Sequence, residues 1–357
     1  MYTIYADEQP LYNPLLASEG FGVISPKLSL EVNKAGSLKL TLPPNNVMYD
    51  KVEKMKSIIT VYQDKQEIFR GRILNSEKDF QNRKSIYVEG QLAFLLDSPV
   101  RPYEYEGSVN KYFRQLLENH NESVDESKQF AGYYASGEFD SNDNIVRSNS
   151  KYTNTYDEIN EKLIKNLGGY LDIKKIEEYN GNIFYEIVYI SDYSTINPQV
   201  IEFGENLLDI KEYIDAENIY TCLIPIGANG MTIANINNGL DYIQDDNAVA
   251  QYGKIYKVHI WDDVTIYGNL FNKAKAYIKD CITLASTLTI KAVDLHHIDV
   301  NTDSIRIGDK IRVLSKPHNI DKYVMCTAMN LDLTDPSKST YTFGNTKKTL
   351  TDKVVSK

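Results

Sequence analysis

Over the first hundred residues, apolar side chains recur at every second position. Leu28, Leu30 and Val32 alternate with polar residues, Asn33-Lys34-Ala35-Gly36 turns the chain, and Leu38, Leu40 and Leu42 alternate again. A strand points successive side chains to opposite faces, so period two on both sides of a Gly-containing turn predicts a hairpin. Pro43-Pro44-Asn45-Asn46 breaks the second strand. Another hairpin is predicted from Ile58–Tyr62 through Asp64-Lys65-Gln66 to Ile68–Leu74, and a further strand over Ser85–Gly90. Several short strands with regular turns predict a small barrel or sandwich.

Near Pro99 and Pro102 the period changes. Ser108 is placed to cap a helix with an apolar stripe of Val109, Tyr112, Phe113, Leu116 and Leu117. Residues 121–154 are polar and rich in Ser and Asn, which predicts loops. Thr155-Tyr156-Asp157-Glu158 has capping-box spacing, Ile159, Leu163 and Leu167 continue the helix, and Gly168-Gly169 stops it. Asn180-Gly181 suits the tight turn of a third hairpin. From Leu207 the pattern is β-rich again, and Ile219–Gly227 reads as a buried strand ending in a turn. Residues 232–290 interrupt it with Asn-rich loops and a helix carrying Leu270, Ala274, Tyr277, Ile278 and Cys281 on one stripe. Strands are predicted again at Ile290, Ser304–Leu314, Tyr323–Leu333 and Ser339–Gly344, before a frayed tail over 345–357. No fixed-period repeat is present, but two β-rich blocks flank mixed material.

A chain of 357 residues is too long for one ordinary core and predicts two or three domains. Its 42% hydrophobic and 25% charged content is that of a globular protein, so disorder is not expected over most of the length. Tyr is abundant, 27 residues against one Trp, which favours strands and subunit contacts. The net charge of -10 argues against a basic stripe for nucleic-acid docking, but suits a wall along which DNA slides without sticking. The three cysteines, Cys222, Cys281 and Cys326, are far apart and odd in number, so buried free thiols are expected rather than a disulfide framework. No signal peptide or membrane span is visible, which predicts folding in a reducing cytoplasm.

Candidate chemistry is sparse. Gly227-Ala228-Asn229-Gly230 follows a strand, but lacks the third glycine and the helix opening of a nucleotide loop. His296-His297 is the one histidine cluster; adjacent residues on a strand would face opposite ways and not share a metal. Asp140-Ser141-Asn142-Asp143-Asn144 begins like a calcium loop, but Ile145 stands where glycine is needed and Lys151 where the bidentate Glu belongs. Asp245-Asp246 and Asp262-Asp263 are carboxylate pairs of a kind an acidic chain produces by chance. Cys222 and Cys326 lie in apolar strand contexts, where burial makes a thiol inert. Asn121-Glu122-Ser123 fits a glycan acceptor, which carries no weight without a secretory signal. No catalytic, cofactor-binding or metal-binding residue is assigned, and no cofactor is expected.

Several segments nonetheless occur in a telling order. Asp209-Ile210-Lys211, followed by Asn218–Gly227 with its Thr-x-hydrophobic-x-Pro-x-Gly run, resembles a signature of the prophage tail endopeptidase family, also called tail-associated or tail hub proteins. Tyr252-Gly253-Lys254-Ile255 with Trp261-Asp262-Asp263-Val264 is similar to that family's next block. The helix from Asn269 to Cys281, Ile305–Val313 and the ending Thr340–Gly344 follow in the family's order, and Ser37–Pro43 resembles its early hairpin. Cys222 departs from the pattern, since a basic residue is expected after the Thr.

The resemblance implies the architecture of a contractile-phage baseplate hub: α+β, mainly β, with two small β-barrel domains, the second discontinuous, plus α+β insertions. The corresponding division is a barrel over 1–97, an α+β domain over 98–206, a second barrel from 207–231 and 290–345, an insertion over 232–289 and a tail over 346–357. It further implies a homotrimer forming a ring that joins a six-fold tail tube to a three-fold tip. Its partners would be the distal tail protein or tail tube, the tape-measure protein and a tip fibre or spike, in a virion tail, with DNA passing through. In longer family members peptidoglycan cleavage lies in C-terminal extensions. The chain stops soon after Gly344, which implies a non-enzymatic role. A cell-wall endopeptidase and a receptor-binding adhesin are the alternatives.

Overall fold

The computed structural model describes residues 1–137, 139, 145–215, 219–262, 264–282, 285–299 and 301–344, without the side chains of 212–215, 280 and 285–288. The chain divides into two compact bodies, Met1–Lys211 with Leu288–Lys357, and Glu212–Thr287.

The larger body begins with the predicted hairpins: β1 (Tyr2–Ala6), β2 (Gln9–Tyr12), β3 (Ile24–Glu31), β4 (Ser37–Leu42), β5 (Ile58–Gln63), β6 (Gln66–Lys78) and β7 (Lys84–Gly90). Alternation holds strictly in β4 and β5, where Leu38, Leu40, Leu42, Ile59 and Val61 are buried and the residues between them are not. Where β6 and β7 meet, Gly71 lies opposite Gly90. A Cβ on Gly90 would sit 1.7 Å from the Ala35 carbonyl oxygen, so only glycine allows the chain to pass this close.

The middle of the chain builds a separate layer. It contains β8 (Pro99–Val100), β9 (Tyr103–Glu106), α1 (Val109–Ser123), β10 (Gly132–Ser136), β11 (Val146–Asn149), β12 (Thr153–Asn154), α2 (Thr155–Ile159), a π-helical turn over Asn160–Ile164, α3 (Lys165–Leu167), β13 (Tyr170–Glu177) and β14 (Ile183–Ile190). The predicted stripe of α1 is buried and packs with Leu163, Leu171, Ile187 and Tyr189 in one cluster. β14 is central, parallel to β10 and antiparallel to β13. The cap of α2 differs from expectation by one residue: Asn154 accepts the Asp157 N–H at 2.8 Å, while Thr155 is buried against Ser98.

The rest comprises β15 (Ile196–Glu202), β16 (Leu207–Asp215), β17 (Cys222–Ile226), β18 (Ile243–Gln244), α4 (Asp246–Tyr252), β19 (Tyr256–Ile260), α5 (Tyr267–Cys281), β20 (Ala285–Ala292), β21 (Lys310–Ser315), β22 (Ile320–Asp332) and β23 (Thr340–Gly344). Thirteen strands form one curled sheet in the order β16-β20-β23-β22-β3-β4-β7-β6-β5-β1-β2, with β21 also pairing β22, and β15 pairing β21. Apart from β17, the strands of the two β-rich blocks therefore belong to a single hydrogen-bonded system, and the chain is mainly β as its periodicity predicts.

The joint is β22. Its first half pairs with β21, and its second half lies between β23 and β3, with Leu331 opposite Leu28. One apolar cluster runs across the joint, from Ile4, Leu28, Val61 and Val88 to Ile201, Val313, Met329 and Phe343. The strand expected from Ser304 begins only at Lys310. Before it, Asp309 accepts hydrogen bonds from the Arg306 N–H and the Asn197 amide, both at 2.9 Å, and holds 305–309 in a turn.

In the smaller body, β17 pairs antiparallel with β18 and parallel with β19. Ile219–Gly227, read from sequence as part of the second barrel, thus hydrogen-bonds to residues 243–244 and 256–260. Leu223, Ile233, Trp261, Val264, Leu270, Ala274 and Ile278 form this body's core, with the predicted α5 stripe supplying three of them.

Candidate functional site

The larger body contains a cavity of about 470 Å³ between the turn after β3, the β5–β6 hairpin, β13–β14 and the 305–309 turn. The fold brings these segments together because β6 is shared: one face serves the β-sheet core and the other meets the middle layer. On that second face Glu67 accepts hydrogen bonds from the hydroxyls of Tyr185 at 3.1 Å and Tyr62 at 3.4 Å, and lies 3.5 Å from the Lys175 ammonium. Burial pushes the Glu67 carboxyl above the ordinary range, against the pull of Lys175. The Arg70 guanidinium lies 4.4 Å from the centre of the Tyr185 ring. Asp172, also on the cavity wall, is pushed up by burial. Aromatic faces and mutually compensating charges make this a junction between layers.

A second polar junction ties the β5–β6 turn to the residues after β20. The His296 Nε2 lies 2.6 Å from Asp64 Oδ2 and its Nδ1 lies 2.6 Å from the Thr302 carbonyl oxygen. Burial lowers the His296 pKa, but the bonds to Asp64 and Thr302 outweigh it and leave it raised. Both ring nitrogens can then donate, as the imidazolium requires. His297 turns to the Tyr2 hydroxyl at 3.3 Å. These histidines were expected on a strand; they occupy a 3-10 turn, Leu295–His297, because Asp294 caps the His296 N–H at 3.0 Å. Among the described residues no group of three or more His, Cys, Asp or Glu is placed to hold a metal.

Asp140–Asn144 lie outside the described residues, as does Asp263. Asp245 caps α4 through the Ala248 N–H at 2.9 Å. Gly227–Gly230 form a short turn, with the Gly227 N–H bonded to the Met231 carbonyl at 2.7 Å. The Asn121 amide is committed to both backbone groups of Phe130. All three cysteines are buried and free, and burial drives the Cys326 thiol far up, so no thiolate forms there.

Sequence reading missed two Ser–His contacts: Ser315 Oγ lies 2.6 Å from His318 Nδ1 at the turn after β21, and a second pair is buried. Ser98 Oγ lies 2.8 Å from His120 Nδ1, and His120 Nε2 lies 3.1 Å from the Lys128 carbonyl. Twenty-two residues separate the two in sequence, with no motif to link them. The N–H on Nε2 therefore donates to the backbone and Nδ1 accepts from the hydroxyl. Ser98 is 1% exposed and His120 fully buried, so no substrate carbonyl reaches the hydroxyl. Burial lowers the His120 pKa and keeps the ring neutral. The pair fastens the end of α1 to the start of α2, where Thr155 completes the chain of hydroxyls at 2.7 Å.

Among the described residues no helix is long and apolar enough to cross a membrane. No curated protein sequence matches the chain. The model of the prophage endopeptidase tail family matches residues 195–354. Solved structures share the fold at low identity. A tail protein from Neisseria meningitidis aligns over 96% of both chains with a TM-score of 0.66 and 12% identity. A prophage tail protein from Listeria monocytogenes aligns over 93% of this chain and 91% of its own, with a TM-score of 0.61 and 15% identity. An Escherichia coli component of the type VI secretion system, described as structurally similar to the T4 bacteriophage tail proteins gp27 and gp5, aligns over 92% of this chain and 74% of its own. Its TM-score is 0.50 and its identity 10%. Residues 195–354 thus carry the prophage endopeptidase tail family's sequence pattern, and the chain as a whole has the fold of prophage tail proteins.

Proposed function

We propose that the chain is a non-enzymatic tail hub: a trimeric ring between a six-fold tail tube and a three-fold tip, with a channel for DNA. The observation that carries this reading is the joint at β22, which fuses two β-rich lobes into one sheet with one core. Two rigidly joined lobes per subunit would give six lobes in a three-fold ring, the arrangement needed to meet six-fold and three-fold neighbours at once. The match to the prophage tail family and the likeness to a secretion component that itself resembles T4 tail proteins support a structural tail role. The net charge of -10 suits a conduit from which DNA is repelled.

Purified full chain should form a three-fold ring in negative-stain images and a trimer in multi-angle light scattering, and leave peptidoglycan uncleaved. A monomer at every concentration, alone and with a tail-tube protein, would refute the ring. Release of muropeptides by the isolated chain would refute the non-enzymatic assignment.

A further inference from the structure

The smaller body has an open sheet edge whose chemistry specifies its occupant. β19 pairs only with β17 among the described residues. Two ladder bonds fix the phase of that parallel pair: the Cys222 N–H donates to the Ile255 carbonyl at 3.0 Å, and the Trp261 N–H to the Ile226 carbonyl at 2.7 Å. In a parallel ladder, alternate residues bond to the neighbour. Residues 255, 257, 259 and 261 therefore face β17, and the backbone N–H and C=O groups of Tyr256, Val258 and Ile260 face outward.

The same three residues carry the exposed side chains. Tyr256 is 47% exposed, Val258 54% and Ile260 57%. Between them, Lys257 and His259 turn to the opposite face, where the Lys257 ammonium lies over the rings of Tyr220 and Tyr277 at 4.8 and 5.1 Å. His259 packs 4.3 Å from Trp261 and 4.5 Å from Tyr277. Exposed edges are ordinarily blunted by an outward Lys, a Pro or a bulge. Within Tyr256–Ile260 the one lysine is drawn inward and the outward row is apolar and strongly β-forming; the exposed Lys254 stands just before it, over the Tyr242 ring.

We propose that β19 is a β-augmentation site that accepts an extended strand from another tail polypeptide. The outward N–H and C=O groups demand a backbone in strand conformation, and Tyr256, Val258 and Ile260 demand apolar side chains at alternate positions of that strand. The body that carries this edge, Glu212–Thr287, has nine Asp and Glu against five Lys, which favours a neutral or basic strand.

The test uses the full chain and a fluorescein-labelled Lys-Thr-Val-Thr-Val-Thr-Lys peptide. Anisotropy should show saturable binding, and hydrogen exchange should slow at the amides of Tyr256, Val258 and Ile260. Val258→Pro removes only an outward N–H and leaves the β17 ladder intact; it should weaken binding by about tenfold or more. Val258→Thr keeps the N–H and the branched shape, and should bind within about threefold of the parent, which separates loss of the edge from loss of the fold. Absence of saturable binding, slowed exchange elsewhere, or equal affinity of the proline variant would overturn the proposal. A dimer in ultracentrifugation that Val258→Pro dissolves would assign the edge to a second copy and overturn the partner strand.

Discussion

Asp332 ends β22, and four donors converge on its carboxylate. Oδ1 accepts the N–H groups of Thr334 and Asp335, both at 3.0 Å, and the Thr334 hydroxyl at 2.8 Å, while Oδ2 takes the Lys27 ammonium at 2.8 Å. Burial alone would raise its pKa, but these donors hold it well below the usual carboxylate range. A carboxyl depressed in the folded state stabilises above its unfolded pKa of about 4, and that contribution is lost as pH falls through the folded value. Asp332→Asn should cost roughly 2 kcal/mol at pH 7 in urea titrations, and the deficit should shrink steadily below about pH 4. An equal deficit at pH 7 and pH 3 would show that charge is not what the turn uses. Three of the donors are two or three residues on, but Lys27 was not identifiable beforehand, because it lies 305 residues away along the chain.

Elements were more legible than contacts. The stripes of α1 and α5 and the alternation of β4 and β5 follow directly from side-chain period, since each buries one face locally. Where reading failed, a polar side chain had changed the backbone. Asp309 bends 305–309 out of the expected strand, and Asp294 coils His296-His297 into a 3-10 turn. The pairing of β3 with β22 was also invisible, although both strands were predicted. That seam carries Leu28, fully buried, and Leu331, 2% exposed. Leu331→Ala should destabilise the larger body by about 3 kcal/mol, while Ser29→Ala on the exposed side of the same pairing should change stability by under about 0.5 kcal/mol. Equal effects of the two in thermal unfolding would mean the seam is not a core.

For the whole molecule, the consequential feature is that the core of Glu212–Thr287 is separate from that of the remainder. A body of that size with a short apolar core has little stability of its own. In native-state hydrogen exchange with added denaturant, amides of β17 and α5 should open together at concentrations where β4 and β22 remain protected. Opening in a single step with β4 and β22 would show that the two bodies are one cooperative unit. By itself the sequence determined a mainly β chain with two β-rich blocks, mixed insertions, a net negative charge and an ordered set of tail-family segments, because side-chain period, turn chemistry and charge are written in neighbouring residues. Only the tertiary structure decided that the blocks share one sheet, that β17 joins residues 243–244 and 256–260, that Ser98 meets His120, and that β19 keeps an open apolar edge. Each depends on which distant segments meet, and a local pattern fixes the faces of a strand without choosing its neighbours.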